Sequence, residues 1–188
     1  VLVGQQGLLR KVVGQLTQAV GDLWQEGSLT AAHEHFASAA LRVFLGNASR
    51  PYAQNANAPC LVVSTPAGQL HELGAIIINS AARSAGWNVA FLGASLPAAE
   101  IAGAVIQKQA RAVALSIVYP LDDAALPGEL AQLRRLLPPQ TAIIAGGRAA
   151  SAYREALEGI GALLIEDLED FSRTLDRLRH PLDQAQPA

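Results

Sequence analysis

The sequence is poor in several residue types, and each shortage excludes a class of protein. Its single cysteine, Cys60, excludes an internal disulfide framework and points to a reducing cytoplasm. Only two lysines are present and no basic stripe occurs, so we expect no nucleic-acid binding through this segment. The apolar runs are far shorter than a membrane span, and no signal peptide opens the chain. These absences predict a cytoplasmic protein with no membrane partner.

The chain also contains no methionine and begins with Val1, so we expect it to be an excerpt of a longer protein. Its 188 residues are enough for one ordinary domain, or for a compact domain with a helical attachment. The apolar fraction is 51%, the charged fraction is 16% and the net charge is −2, a balance that again gives no sign of a nucleic-acid surface.

Two helical patterns open the chain. Apolar residues at helical spacing predict an amphipathic helix over residues 1–27. Ser28 or Thr30 can cap a second helix that runs to about Leu45. Two such helices cannot bury both apolar faces alone. We therefore expect a partial helical bundle, completed by helices outside this sequence or by a partner chain.

From Pro59 onward, strand-like apolar runs alternate with helical patterns. Five βα units with short connections predict an α/β fold of the flavodoxin-like kind, with a five-stranded parallel sheet covered by helices on both faces. The predicted strands lie near residues 60–65, 88–93, 112–118, 141–145 and 162–166. The predicted helices cover residues 72–86, 97–110, 125–137, 150–160 and 168–179. The predicted divisions are a helical cap over 1–46, a linker over 47–58, an α/β domain over 59–182 and a tail over 183–188.

Three short motifs follow strand-like runs in one ordered series. They are His71-Glu72-Leu73-Gly74, Ser116-Ile117-Val118 and Gly146-Gly147, separated by 41 and 27 residues. If the runs are parallel strands, all three motifs lie at the carboxyl edge of one sheet, where open α/β folds bind ligands. A histidine, a hydroxyl and a glycine pair at one edge predict a binding site.

This series resembles the cobalamin-binding domain of methionine synthase, the corrinoid methyl carriers, the cobalamin mutases and the cobalamin-dependent light-sensing regulators. The pattern of that family is a carboxylate, one residue, then His-x-x-Gly, Ser-x-Leu and Gly-Gly, with gaps of about the lengths found here. The chain departs from it at Gln69, where the family has the carboxylate, and at Val118, where the family has leucine. The resemblance implies a Rossmann-like cobalamin-binding domain.

The resemblance also implies a role for each motif residue. His71 would ligate cobalt from the lower face in place of the cofactor's own benzimidazole, the base-off/His-on mode. Gln69 could accept a hydrogen bond from the other ring nitrogen, but it adds no negative charge and would give weaker electron donation. Ser116 would hydrogen-bond the displaced benzimidazole. Gly74 and Gly146-Gly147 would leave room for the ring and the nucleotide tail.

Each of these residues also has a plainer interpretation. His71 could be a solvated loop histidine, and Ser116 could simply form a turn at the end of its strand. Gly74 could be an incidental small packing residue, and Gly146-Gly147 an ordinary tight turn between a strand and a helix. The matched spacing favours the cobalamin roles.

A second constellation lies in the helical patterns, where Trp24 is followed after nine residues by Glu34-His35. This resembles the MerR-class cobalamin-dependent photoreceptor regulators, in which a helical bundle covers the upper face of adenosylcobalamin. Trp24, Glu34 and His35 would then surround the adenosyl group; without the cobalamin domain they would be structural or solvated residues. Gln25 stands where those photoreceptors have a histidine that ligates cobalt after illumination. An amide is a poor cobalt ligand, and His33 is the alternative donor, although it fits a surface histidine better.

The leading hypothesis is therefore that the chain binds cobalamin, with adenosylcobalamin as the expected form, as the light- or ligand-sensing module of a transcriptional regulator. It would not be an enzyme. By resemblance it would form a homo-oligomer, a tetramer, and would contact DNA only through an upstream domain. The alternative is a corrinoid methyl-carrier protein of a methyltransferase system, and a third is a small subunit of an adenosylcobalamin mutase. Trp24 and Glu34-His35 favour the sensor, because a bulky polar cap suits an adenosyl group.

Overall fold

The computed structural model describes residues 23, 26–28, 30–48 and 57–179, without the side chains of Ala31, Glu34, His35, Ser38 and Ala48. Most of the helix predicted over residues 1–27, and all of the predicted tail, lie outside these residues. Within the described part of the chain, no helix combines the length and hydropathy that crossing a bilayer requires.

Five strands form one parallel sheet, as the alternating pattern predicts. The strand order is β2-β1-β3-β4-β5, and every neighbouring pair is parallel. The central strands consist of fully buried apolar runs, which is typical of parallel sheets covered on both faces. The order reverses between β1 and β3, and such a switch point is where open α/β sheets bind ligands. The strands are β1 (Cys60–Pro66), β2 (Asn88–Leu96), β3 (Ala112–Ser116), β4 (Ala142–Gly146) and β5 (Leu163–Ile165).

The helices occupy the predicted places between the strands. A 3₁₀ turn, Ala150–Tyr153, precedes the fifth of them. The predicted helix stops at Gly86, Pro138-Pro139 and Gly159 fall at or within a few residues of observed helix ends. The helices are α1 (Ala31–Ala48), α2 (Leu73–Ser84), α3 (Ala98–Gln107), α4 (Leu126–Leu136), α5 (Arg154–Gly159) and α6 (Leu168–Arg179).

The sheet carries one buried apolar cluster on each face. Successive residues of a strand point to opposite faces, so Val62 joins one cluster while Leu61 and Val63 join the other. The cluster that contains Val62 is completed by α3, α4 and α5. The cluster that contains Leu61 is completed by α1, α2 and α6. Helix α1 therefore packs on the same side of the sheet as α2.

Helix α1 ends at Ala48, later than the end near Leu45 that the sequence predicts. Leu41 and Leu45 are 8% and 0% exposed, and both belong to the cluster with α2 and α6. This burial stabilises the last turn through Gly46, a residue with poor helix propensity on its own. Tertiary packing therefore extends α1 to Ala48, into the segment that the sequence predicts to be the linker.

Strand β3 ends at Ser116, two residues before the predicted end at Val118. The backbone N–H groups of Val118 and Tyr119 donate to the side-chain oxygen of Gln69 rather than to a neighbouring strand. Strand β3 ends at Ser116 because the side chain of Gln69, and not a neighbouring strand, accepts the hydrogen bonds of these two N–H groups.

Candidate functional site

The structure brings the three sequence motifs together at the carboxyl edge of the sheet. His71 lies half-buried in the loop between β1 and α2, beside the switch point. Ser116 is the last residue of β3 and pairs in register with Gly146, the last residue of β4. The spacing of the motifs thus predicted their proximity correctly.

Gly74 and Ser116 approach each other closely across this edge. A Cβ atom added at Gly74 would lie 2.5 Å from Ser116 Oγ, so a larger residue at this position would force the Ser116 hydroxyl or the first turn of α2 to move. Ser116 is 1% exposed, and its hydroxyl has no hydrogen-bond partner among the described residues. A buried hydroxyl without a partner costs about 1–3 kcal/mol, which a ligand that hydrogen-bonds it would recover.

Gly146 and Gly147 pack against the chain itself. Gly147 has φ +110°, and a Cβ atom there would collide with the backbone of Ile117. The same backbone is held by two hydrogen bonds, from Ile117 N to Gly146 O at 2.8 Å and from Ala149 N to Ile117 O at 3.0 Å. A Cβ atom at Gly146 would lie 3.1 Å from Ile165 O. The tight-turn interpretation therefore accounts for both glycines, and space for a nucleotide tail stays a prediction.

The structure gives the side chain of Gln69 a different role from the predicted hydrogen bond to His71. Gln69 is 1% exposed, and its Oε1 accepts from the backbone nitrogens of Val118 at 3.0 Å and Tyr119 at 3.1 Å. Two donors occupy both lone pairs of an amide oxygen, so no acceptor capacity is left for the imidazole. The Nε2 atom is buried without a hydrogen-bond partner among the described residues. Gln69 thus fastens the loop after β3.

Tyr119 is a site residue that the sequence motifs did not identify. Its ring lies beside that of His71, with 6.0 Å between the ring centroids and an angle of 81° between the planes. The sequence signal was an aromatic residue just beyond the end of β3, three positions after Ser116, at the edge that the motifs already marked. Val118 lies close to Gly74, since a Cβ atom at Gly74 would be 3.9 Å from Val118 Cγ2.

Glu72 and Arg42 connect helix α1 to the histidine loop, another contact that the motifs did not indicate. Glu72 directly follows His71 and precedes α2, and its carboxylate forms an ion pair with the guanidinium of Arg42. The Glu72 side chain is 18% exposed, so this contact is partly shielded from water. The helical segment therefore contacts the residue next to the predicted cobalt ligand.

The predicted upper-face residues fall outside what the structure describes. Trp24 and Gln25 are not among the described residues, and only the backbones of Glu34 and His35 are, within α1. His33 is exposed and shares a 3.0 Å hydrogen bond with the Thr30 hydroxyl at the start of α1, as expected of a surface histidine. The predicted cap over a bound cofactor stays a prediction.

The described residues fit cobalamin. An imidazole at an open edge suits cobalt, a borderline transition metal. The buried Ser116 hydroxyl offers a hydrogen bond that no described protein group takes up, and the missing side chain of Gly74 lets that hydroxyl lie against α2. Fold and site together define a ligand-binding α/β domain with a histidine at its switch point.

Comparison with known proteins identifies that class. A family model described as a B12 binding domain matches residues 59–170, and a second model with the same description matches residues 6–47. The chain belongs to the B12-binding domain family, as its motifs predict. This membership supports cobalamin binding.

Two repressors from Myxococcus xanthus are similar to most of the chain. It is 29% identical to the HTH-type transcriptional repressor CarA over 81% of its own length and 52% of the repressor's. It is 27% identical to the HTH-type transcriptional repressor CarH over 87% of its own length and 54% of the repressor's. The chain thus spans about half the length of these relatives.

Solved structures share the fold. A monomethylamine corrinoid protein from Methanosarcina barkeri aligns with a TM-score of 0.63 at 17% identity, covering 85% of this chain and 77% of its own. A cobalamin-binding protein from Desulfitobacterium hafniense aligns with a TM-score of 0.56 at 22% identity, covering 92% of this chain and 82% of its own. At these identities the likeness establishes the flavodoxin-like architecture alone.

Proposed function

We propose that this chain binds cobalamin in the base-off/His-on mode, with His71 as the lower ligand of cobalt and Ser116 as the partner of the displaced base. The observation that carries the proposal is the Ser116 hydroxyl, which is buried, has no hydrogen-bond partner among the described residues and faces Gly74. A hydroxyl can donate to an aromatic nitrogen, and burial strengthens the bond by lowering the local dielectric.

Three residues of the chain would have separate roles in holding the cofactor. His71 supplies an imidazole from a loop that is anchored at both ends, by β1 and by α2. Gly74 allows the start of α2 to approach Ser116, and Ser116 provides the buried hydroxyl. Cobalamin supplies, when bound, a cobalt–carbon bond that light can break, a chemistry that belongs to the cofactor.

The chain acts as the sensing module of a transcriptional regulator and not as an enzyme. Its similarity to two HTH-type transcriptional repressors supports this assignment, and DNA would be contacted by a region outside this sequence. Adenosylcobalamin is the proposed form, since Trp24 and Glu34-His35 match the pattern of an upper-face cap. Light, or a change of the upper ligand, would alter the packing of the helical segment and so the assembly of a homo-oligomer.

The test compares two site variants with a surface control. His71→Ala should abolish the His-on absorption spectrum of the bound cobalamin, while His33→Ala, which removes an exposed histidine, should leave it unchanged. Ser116→Ala should weaken binding of cobalamin by about 2- to 10-fold, the worth of one hydrogen bond. It should not weaken binding of cobinamide, which lacks the nucleotide base. An intact His-on spectrum in His71→Ala would contradict the proposal.

The methyl-carrier alternative makes a different prediction about the upper ligand. A sensor with an adenosyl cap should bind adenosylcobalamin more tightly than methylcobalamin, and Trp24→Ala should reduce that preference. A methyl carrier must leave the upper face open to a methyltransferase, so it should show no such preference. Equal affinities that Trp24→Ala does not change would favour the carrier.

A further inference from the structure

The imidazole of His71 is in contact with the ring of Tyr119. Their centroids lie 6.0 Å apart and their planes meet at 81°, the edge-to-face arrangement that aromatic pairs prefer. Tyr119 is 49% exposed, so its ring is not held in place by burial in a core. The backbone that carries the ring therefore contributes to its position.

That backbone is fastened by Gln69. The side chain of Gln69 is almost fully buried, and its Oε1 accepts from the N–H groups of Val118 and Tyr119 at 3.0 and 3.1 Å. The backbone of Gln69 is fixed in turn, because the Thr65 hydroxyl donates to its carbonyl oxygen. Thr65 also accepts from Ser95 N at 2.8 Å, which ties the loop to β2. A continuous set of hydrogen bonds thus runs from the sheet to Tyr119.

We propose that Tyr119 is a positioning residue for the cobalt ligand His71, and that Gln69 acts on His71 indirectly, by holding the backbone of Tyr119. This inference rests on the proposed function. Rotation of an imidazole about its last side-chain torsion is only weakly restricted by intrinsic preference. A ring edge or face beside it narrows that rotation. The contact with Tyr119 would orient the ring without a charge, whereas a carboxylate would both orient the ring and raise its basicity.

The first test uses the protein without cofactor. The ring C–H resonances of His71, assigned by their absence in His71→Ala, should shift in Tyr119→Leu, which removes the aromatic ring. They should stay close to the wild-type positions in Tyr119→Phe, which keeps it. Unchanged resonances in Tyr119→Leu would overturn the proposal, since no ring contact would then act on His71.

The second measurement uses the cobalamin complex. Tyr119→Leu should lower the ratio of His-on to His-off cofactor by about 2- to 10-fold, as expected for the loss of one edge-to-face contact. Tyr119→Phe should restore the wild-type ratio. If His71→Ala abolishes the His-on spectrum but Tyr119→Leu does not change the ratio, the proposed function stands and this inference fails. If His71→Ala has no effect, the proposed function itself fails.

The place of Gln69 is tested by a double-mutant cycle. Gln69→Met keeps the length of the side chain and removes the acceptor for the two N–H groups. Gln69→Glu keeps an acceptor and is the control. Gln69→Met should reproduce the effect of Tyr119→Leu on the His-on ratio, and the double variant should be no worse than Tyr119→Leu alone. Additive losses would contradict an action through Tyr119. Unfolding midpoints of all variants identify any that have lost the fold.

Discussion

Helix α1 and the α/β domain use their apolar residues in different ways. The domain buries its apolar side chains in two clusters, one on each face of a sheet that is closed off by five helices. Helix α1 buries Leu41 and Leu45 against the domain, but Phe36 and Val43 are 78% and 65% exposed among the described residues. Among the described residues, the domain thus contains the core that stabilises it, whereas α1 buries its apolar side chains only against the domain.

The comparison matters for function because α1 contacts the site through a polar pair. Leu41 and Leu45 hold the helix on the α2 side of the sheet, and Arg42 between them reaches Glu72 beside His71. A segment that packs on the outside of a core built by other elements can move without unfolding the domain. This is the property that a signal-dependent helical cap requires, and three predictions test it.

The largest effect should come from the core of the domain. Ile144 lies in β4 and is 2% exposed, so Ile144→Ala should reduce the free energy of unfolding by about 2–5 kcal/mol. Ile106→Ala removes the same atoms from a side chain that is 56% exposed, and its effect should stay within about 1 kcal/mol. Urea unfolding of both variants measures the difference. Equal losses would show that the sheet does not dominate stability.

A smaller and local effect should follow from Leu45→Ala. Leu45 is 0% exposed, but its loss can cost no more than the free energy that docks α1 on the domain. Amide hydrogen exchange should therefore become faster in α1 and stay unchanged in the strands. Val43→Ala, on the exposed side of the same helix, is the matched control and should change neither. Faster exchange in the strands as well would mean that helix and domain unfold as one unit.

The smallest effect should belong to Arg42 and Glu72. The Arg42 side chain is 60% exposed, so a double-mutant cycle with Arg42→Met and Glu72→Gln should give a coupling of about 0.2–1 kcal/mol. The coupling should fall as salt is added, because screening weakens pairs that water reaches. The control is the pair of Glu169 and Arg173, which lie on the same helix, α6, and so connect no two elements. A coupling that salt does not change would place the pair in a drier environment.

Much of the fold could be read from the sequence because its signals are local. Continuous apolar runs of strand length alternate with helical patterns, and this alternation admits few arrangements other than a covered parallel sheet. The motif spacing placed His71, Ser116 and Gly146 at one edge, because each lies at or just after the end of a strand and parallel strands end on the same side. The ends of α1 and β3 could not be predicted in the same way. They depend on Leu45 and Gln69, whose partners are distant in the chain.

The sequence by itself determined the class of fold and the edge at which the motifs meet, since both follow from residue periodicity and spacing. The family followed from the resemblance of the motif residues to a known pattern and from the match to the family model. Only the tertiary structure decided what the individual side chains touch. It assigned Gln69 to the backbone of Val118 and Tyr119, placed Tyr119 against His71 and left the Ser116 hydroxyl buried beside Gly74. The physical reason is that a hydrogen bond or a ring contact is set by distances of a few ångströms between segments far apart in sequence. Periodicity shows which face of a helix or strand a residue occupies, but it does not show which residue it contacts there.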